Sequence, residues 1–257
     1  MDTAVLGFFV PSSLIGIYSI CWNVSAVLTL FSKSLLSAFF PEMSQLSETG
    51  GRKEIVSQVE DALSYTGLLV IPGFVGATII GRGILSIYGA DFPQDYPILL
   101  ILVAAALFQS YYLQLINTMD ALDRPDLSFR VNLIFVVSNI ILNFTLIHFF
   151  GWSGAAFATL LSTAVAMVIS FRMLLDLLDF SIPRRQIGCQ IFSAIVMGII
   201  VQSFNWALSS IGIDTQGLIS VLASVALGGV VYFFILLTVS NSFRITVSRN
   251  LPISELI

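Results

Sequence analysis

Two basic residues, Lys33 and Arg82, stand inside apolar stretches that are long enough to cross a membrane. A cation at that depth costs about 2.5–3.5 kcal/mol on insertion scales, so it usually faces a polar partner or a water-filled cavity. The chemistry open to such a group is attraction of an anion, for example a phosphate or an acidic sugar. The alternatives are that Lys33 snorkels to the membrane surface about 10 Å away, and that Arg82 snorkels or pairs with an outer carboxylate.

A polar stripe accompanies Lys33 along its helix. At 100° per residue its members lie within about 40° of one line. They are Ser12, Ser19, Asn23, Lys33 and Ser37. Since a polar stripe should not face lipid, the pattern favours a Lys33 that faces a cavity over one that snorkels.

Further polar residues cluster on two later spans. Gln114 and Asn117 share a face of the third span with Ser110, and Asn132, Asn139 and Asn143 share a face of the fourth. They are explained either by interhelical hydrogen bonds, worth about 0.6–2 kcal/mol each, or by a hydrated cavity wall. Both interpretations remain open.

The second and fifth spans carry backbone signals. Pro72 and Gly73 sit in the middle of the second span, where proline removes a helix hydrogen bond, and they predict a hinge. A stripe of small residues four apart on the fifth span predicts close helix packing. It comprises Gly154, Ala158, Ser162 and Ala166.

The sequence lacks the residues that several kinds of functional site require. No Asp or Glu lies in the middle of a span, as an ion-coupled pump would need. No metal-ligand cluster, hydrolytic triad or glycine-rich phosphate loop is present, and no basic run suits nucleic acid. We therefore expect neither an enzyme nor a protein with a metal or cofactor.

Composition places the chain in a bilayer. It has 257 residues, of which 57% are hydrophobic and 10% charged, with a mean hydropathy of +0.96. A soluble domain carries roughly 25% charged residues. The predicted fold is an all-α polytopic transmembrane bundle.

With about twenty residues per crossing, we expect about seven full spans. They are 14–40, 62–87, 98–119, 128–149, 153–175, 187–208 and 218–239. Residues 4–10 resemble the end of a truncated helix. Residues 53–63 have amphipathic spacing that predicts a helical extension of the second span, within a loop predicted at 42–61.

Charge predicts the orientation of these spans. All Lys and Arg residues except Lys33 and Arg82 fall in loops on one side of the membrane, and none in loops on the other. Because cationic loops stay in the cytoplasm, we expect an outer N-terminus and a cytoplasmic C-terminus in the cell membrane.

An ordered set of short motifs carries a family resemblance. The motifs are Gly16-Ile17-Tyr18, Phe40-Pro41-Glu42-Met43-Ser44, Ile84-Leu85-Ser86-Ile87-Tyr88-Gly89, Arg124-Pro125 and Gly151-Trp152-Ser153-Gly154-Ala155. Their order and spacing resemble the C-terminal half of polysaccharide flippases, in the superfamily that also holds the MATE drug exporters and lipid II flippases. The resemblance covers roughly residues 1–180, and implies one lobe of such a transporter followed by two additional helices and a short cytoplasmic tail in 181–257.

The resemblance implies translocation of lipid-linked oligosaccharide or polysaccharide precursors by alternating access. It implies further that an N-terminal lobe, or a second chain that supplies it, is needed for transport. Lys33 would face the cavity between the lobes, with Arg82 nearer the outside. The alternatives are a drug or metabolite exporter of the same superfamily, and a membrane scaffold or remnant that transports nothing.

Overall fold

Helices dominate the computed structural model, which describes residue 7 and residues 12–49, 51–89 and 92–250. The α-helices, numbered α1 to α8, are Ser12–Thr49, Arg52–Ser86, Tyr96–Ala121, Pro125–Phe150, Trp152–Leu177, Arg184–Ser210, Leu218–Val239 and Asn241–Asn250. A 3-10 helix at Phe92–Asp95 precedes α3. Seven helices, α1 to α7, are long and apolar enough to cross a membrane. The predicted all-α, multi-pass bundle is confirmed, and the truncated helix predicted at 4–10 falls outside the described residues, Gly7 excepted.

Helix α3 lies at the centre of the first five helices. It packs against α1, α2 and α5, while α4 packs mainly against α5. Leu99 and Leu102 of α3 are almost fully buried against Tyr18 and Cys21 of α1. This apolar core holds α1 in place by one face and leaves its other face uncovered.

The last two membrane helices form a separate pair. Helices α6 and α7 pack against each other and mainly against α2. Met197 of α6 and Tyr232 of α7 are buried beside Ile71 of α2 in a second apolar cluster. The pair is therefore anchored on α2.

The prediction of a loop at 42–61 is wrong, because each of the two flanking helices extends into this segment. Helix α1 runs through Pro41 to Thr49, and α2 begins at Arg52. The helical extension predicted before the second span is confirmed. The reason is burial: Met43 of α1 is 2% exposed and packs with Ile55 and Val59 of α2. Apolar contacts between the two extensions stabilise helix where the sequence shows only falling hydropathy.

The stripe of small residues on α5 is buried at every position, as its packing role predicted. Its N-terminal member stands one turn after Gly151, whose φ of +62° lets α4 and α5 join through a single residue. A Cβ built on Gly154 would collide with the backbone carbonyl of Leu146 in α4. The α4–α5 contact thus requires glycine at position 154.

Candidate functional site: an apolar groove beside a polar helix face

A groove of about 770 Å³ opens between α1, α2 and the α6–α7 pair. Its lining is apolar along most of its length. Along α2 it extends from Leu69 to Ile84, which is about 22 Å at 1.5 Å per residue and most of the thickness of a hydrocarbon core. Helix α1 contributes Asn23 and Phe31, among others, and α7 contributes Phe233. An extended apolar chain fits these dimensions.

Glycines on two helices keep the groove open. Gly73 and Gly76 of α2 and Gly228 and Gly229 of α7 all line it. A Cβ on Gly76 would meet no atom within 4 Å, so that position borders empty space. The residues predicted to form a hinge, Pro72 and Gly73, lie in this wall, within a helix that runs unbroken from Arg52 to Ser86. Their movement stays a prediction.

The polar stripe of α1 lies on the helix face that the rest of the chain leaves uncovered. Lys33, Ser37 and Asn23 are exposed, and Ser19 is half-buried. The side chain of Ser12 is outside the described residues. Within the described part of the chain, the Lys33 ammonium has no hydrogen-bond acceptor and no ion-pair partner. Asn23 belongs to this stripe and also lines the groove, so the polar face and the apolar groove meet at Asn23.

Arg82 lies elsewhere. Its guanidinium stands over the ring of Tyr96, 5.3 Å from the centroid, and the Tyr96 hydroxyl donates to the Thr78 carbonyl at 2.6 Å. Helices α1 and α2 form a hairpin, so Lys33 and Arg82 differ in depth by about 21 Å at 1.5 Å per residue. One small anion cannot contact both cations.

The asparagines of α4 lie at the interface with neighbouring helices. Asn139 Nδ2 donates to Ser162 Oγ of α5 at 3.1 Å, and Asn143 Nδ2 donates to Asn139 Oδ1 at 3.1 Å. Both asparagines are buried. Tyr112 of α3 donates its hydroxyl to Asn132 Oδ1. In this conformation Asn132 and Asn139 connect helices and Asn143 bonds within α4; their use as a cavity wall stays a prediction.

The polar residues of α3 do not reach the groove either. Gln114 is 2% exposed, and its Oε1 has no hydrogen-bond partner among the described residues. Asn117 is half-buried. Neither residue lines the groove, so α3 contributes its apolar side to it.

Sequence reasoning missed the contribution of α7 to this site. Ser224 lines the groove and donates its hydroxyl to Asn205 Oδ1 of α6 at 2.8 Å. The signal was present as Ser220, Ser224 and Gly228 spaced four apart, which marks a face suited to close packing. Part of that face lines an open space instead. Among the described residues, no group of three or more His, Cys, Asp or Glu is placed to hold a metal ion.

Two proteins of the archaeon Haloferax volcanii align with almost the whole chain. The "Probable flippase AglR" is 35% identical over 255 residues, which is 98% of this chain and 52% of that protein. The "Probable low-salt glycan biosynthesis flippase Agl15" is 33% identical over 252 residues, again 98% of this chain and 52% of that protein. The chain spans about half the length of these curated relatives. No protein-family profile matches it.

One solved structure shares the fold. Lipid II flippase MurJ, in an inward closed conformation, superimposes with a TM-score of 0.74. The alignment covers 92% of this chain and 49% of the MurJ chain, at 20% sequence identity. The helices described above are therefore arranged as they are in half of a known flippase.

Proposed function

We propose that this chain, which is homologous to two haloarchaeal flippases, forms one lobe of a flippase for lipid-linked oligosaccharide or polysaccharide precursors. The remaining lobe, on the same polypeptide or a second one, faces the polar side of α1. From the positive-inside rule we infer that the loop cations and the C-terminus lie in the cytoplasm. The coverage of the relatives and the uncovered face of α1 support this assignment.

The observation that carries the proposal is the junction at Asn23. A lipid-linked sugar combines a polar, charged head with a long apolar tail. The head cannot enter hydrocarbon without polar partners, whereas the tail has no reason to leave it. A polar stripe that meets an apolar groove along one helix provides both environments side by side. The head moves along the face that carries Lys33 while the tail stays in the groove between α1 and α7.

Lys33 supplies the attraction for the head. Its ammonium is exposed and without a partner among the described residues, so no internal contact has to break when a phosphate binds. A charge-assisted hydrogen bond contributes about 1.5–3 kcal/mol. The cation also disfavours a cationic drug as substrate.

The test is translocation of a fluorescent lipid-linked oligosaccharide in proteoliposomes that contain this chain together with a partner lobe. Lys33→Ala is expected to slow translocation about tenfold or more, as loss of a contact of that strength implies. Lys33→Arg retains the charge and should retain most of the rate. Lys53→Ala removes the other lysine, at the start of α2, and serves as the matched control. Undiminished translocation by Lys33→Ala would refute the role of Lys33.

A further inference from the structure

A second cavity, of about 660 Å³, lies at the end of the bundle that carries the loop cations. The first turns of α2, the end of α5 and the linker into α6 enclose it. Arg184, Arg185, Glu60 and Asp61 contribute charged side chains to its lining. It shares no lining residue with the groove beside α1, so it is a separate site.

The charges in this cavity are not neutralised by one another. Within the described residues the one ion pair is Arg124–Asp126, so neither arginine pairs with Glu60 or Asp61. Glu60 Oε1 accepts hydrogen bonds from the Ser181 amide and the Ser181 hydroxyl, both at 2.7 Å. Glu60 thereby holds the linker in place. Two guanidinium groups and the Asp61 carboxylate remain available to a ligand.

An apolar cavity of about 340 Å³ adjoins the charged one, nearer the middle of the membrane helices. Phe171 and Ile182 line both. Leu107, Phe108 and Val168 line only the apolar part, and Arg172 lies at its edge. A polar chamber at the membrane surface beside an apolar channel suits a lipid, with the headgroup in the chamber and an acyl chain in the channel.

We propose that these adjoining cavities bind a phospholipid with a primary amine in its headgroup, in the leaflet on the side of the loop cations. The lipid phosphate lies between Arg184 and Arg185, since guanidinium groups match phosphate geometry and basic pockets between membrane helices bind lipid headgroups. The ammonium lies at Asp61. Two cations and two carboxylates line the chamber, which matches a zwitterion better than a headgroup with only negative charge. The chain extends past Phe171 toward Val168.

The experiment counts lipids retained by the intact chain in native mass spectrometry, from mixed micelles that hold equal amounts of phosphatidylethanolamine, phosphatidylcholine and phosphatidylglycerol with identical chains. Phosphatidylethanolamine is expected to be retained in preference to the other two. R184Q/R185Q should reduce its retention about fivefold for each arginine removed. R130Q/R244Q makes the same charge change outside the cavity and should leave retention unchanged.

Two further variants separate the parts of the proposal. D61N should abolish the preference for phosphatidylethanolamine over phosphatidylcholine, because the quaternary amine of the latter has no proton to donate; D176N, outside the cavity, is its control. V168W fills the channel and should reduce retention while the arginines are intact. Preference for phosphatidylglycerol would overturn the amine site. Displacement of the lipid by inorganic phosphate, with no effect of V168W, would show a site for free anions instead.

Discussion

Gly154 is the position at which a single added carbon should disturb the fold most directly. Its missing side chain lets the first turn of α5 lie against the backbone carbonyl of Leu146 in α4. Backbone cannot rotate away as a side chain can. Gly154→Ala therefore forces the two helices apart, and we expect it to destabilise the protein by about 1–3 kcal/mol, the usual range for overpacking.

The matched control for this substitution is Gly188→Ala. Gly188 lies in α6, and a Cβ there would meet no atom within 4 Å. Alanine favours helix over glycine by up to about 1 kcal/mol, so this variant should be neutral or slightly stabilised. Thermal unfolding in detergent, followed by tryptophan fluorescence, measures both. Equal midpoints for the two variants would contradict the packing argument.

Asn139 is the member of the buried asparagine pair that links α4 to α5. Asn139 reaches Ser162 of α5, and Asn143 reaches Asn139. Asn139→Leu removes the amide that donates to Ser162 and accepts from Asn143. We expect it to lower the free energy of unfolding by roughly 0.6–2 kcal/mol, the range for a hydrogen bond in a membrane. Reversible unfolding in mixed micelles gives the free energy.

Thr145→Val is the control for the asparagine variant. Thr145 is exposed on the same helix, and among the described residues its hydroxyl donates only to the Ile141 carbonyl of its own turn. Its free energy of unfolding should stay within about 0.5 kcal/mol of the parent, as surface changes usually do. A larger loss at Thr145 than at Asn139 would show that the α4–α5 bonds contribute little.

Sequence periodicity predicted the elements better than it predicted their ends or contacts. Hydropathy located all seven membrane helices, because about twenty apolar residues in a row satisfy only one structure in a bilayer. It missed the continuation of α1 through Pro41 to Thr49, since that segment is stabilised by Met43 packing on α2. Such a contact depends on a second helix, and the residue pattern of α1 alone does not reveal where that helix packs.

The candidate site was also predictable only in part, because some of its features depend on contacts between helices. The polar stripe of α1 follows from helix geometry alone, and the structure leaves that face uncovered. The groove forms where five helices meet, so neither its lining by Gly76 nor the place of Ser224 could be read from one of them. The separation of Lys33 from Arg82 likewise required the α1–α2 hairpin.

At the scale of the whole molecule, a bulky side chain should fill the groove without destabilising the fold. Gly76 borders empty space, so Gly76→Trp places a large ring in the path proposed for the lipid tail. We expect translocation with the partner lobe to fall at least several-fold, while the unfolding midpoint stays close to that of the parent.

Gly188→Trp, exposed and outside the groove, provides the control for bulk alone. It should transport normally. If Gly76→Trp also transports normally, the tail travels elsewhere. If both variants lose activity together, the loss comes from the added ring and the groove has no special role.

The dependence of α6 and α7 on α2 has a consequence for biogenesis. The central helix α3 finds its main neighbours α1, α2 and α5 among residues that leave the ribosome before residue 184. Chains insert and pack from the N-terminal end as they are made, so these helices can assemble while the last pair is still being translated. On this order of synthesis, we expect membrane lipid to contact the exposed surfaces of α1 and α2 before α7 packs beside them. We therefore expect lipid to fill the groove as it forms, so that a lipid-linked substrate of the kind proposed above would enter by exchange with that lipid.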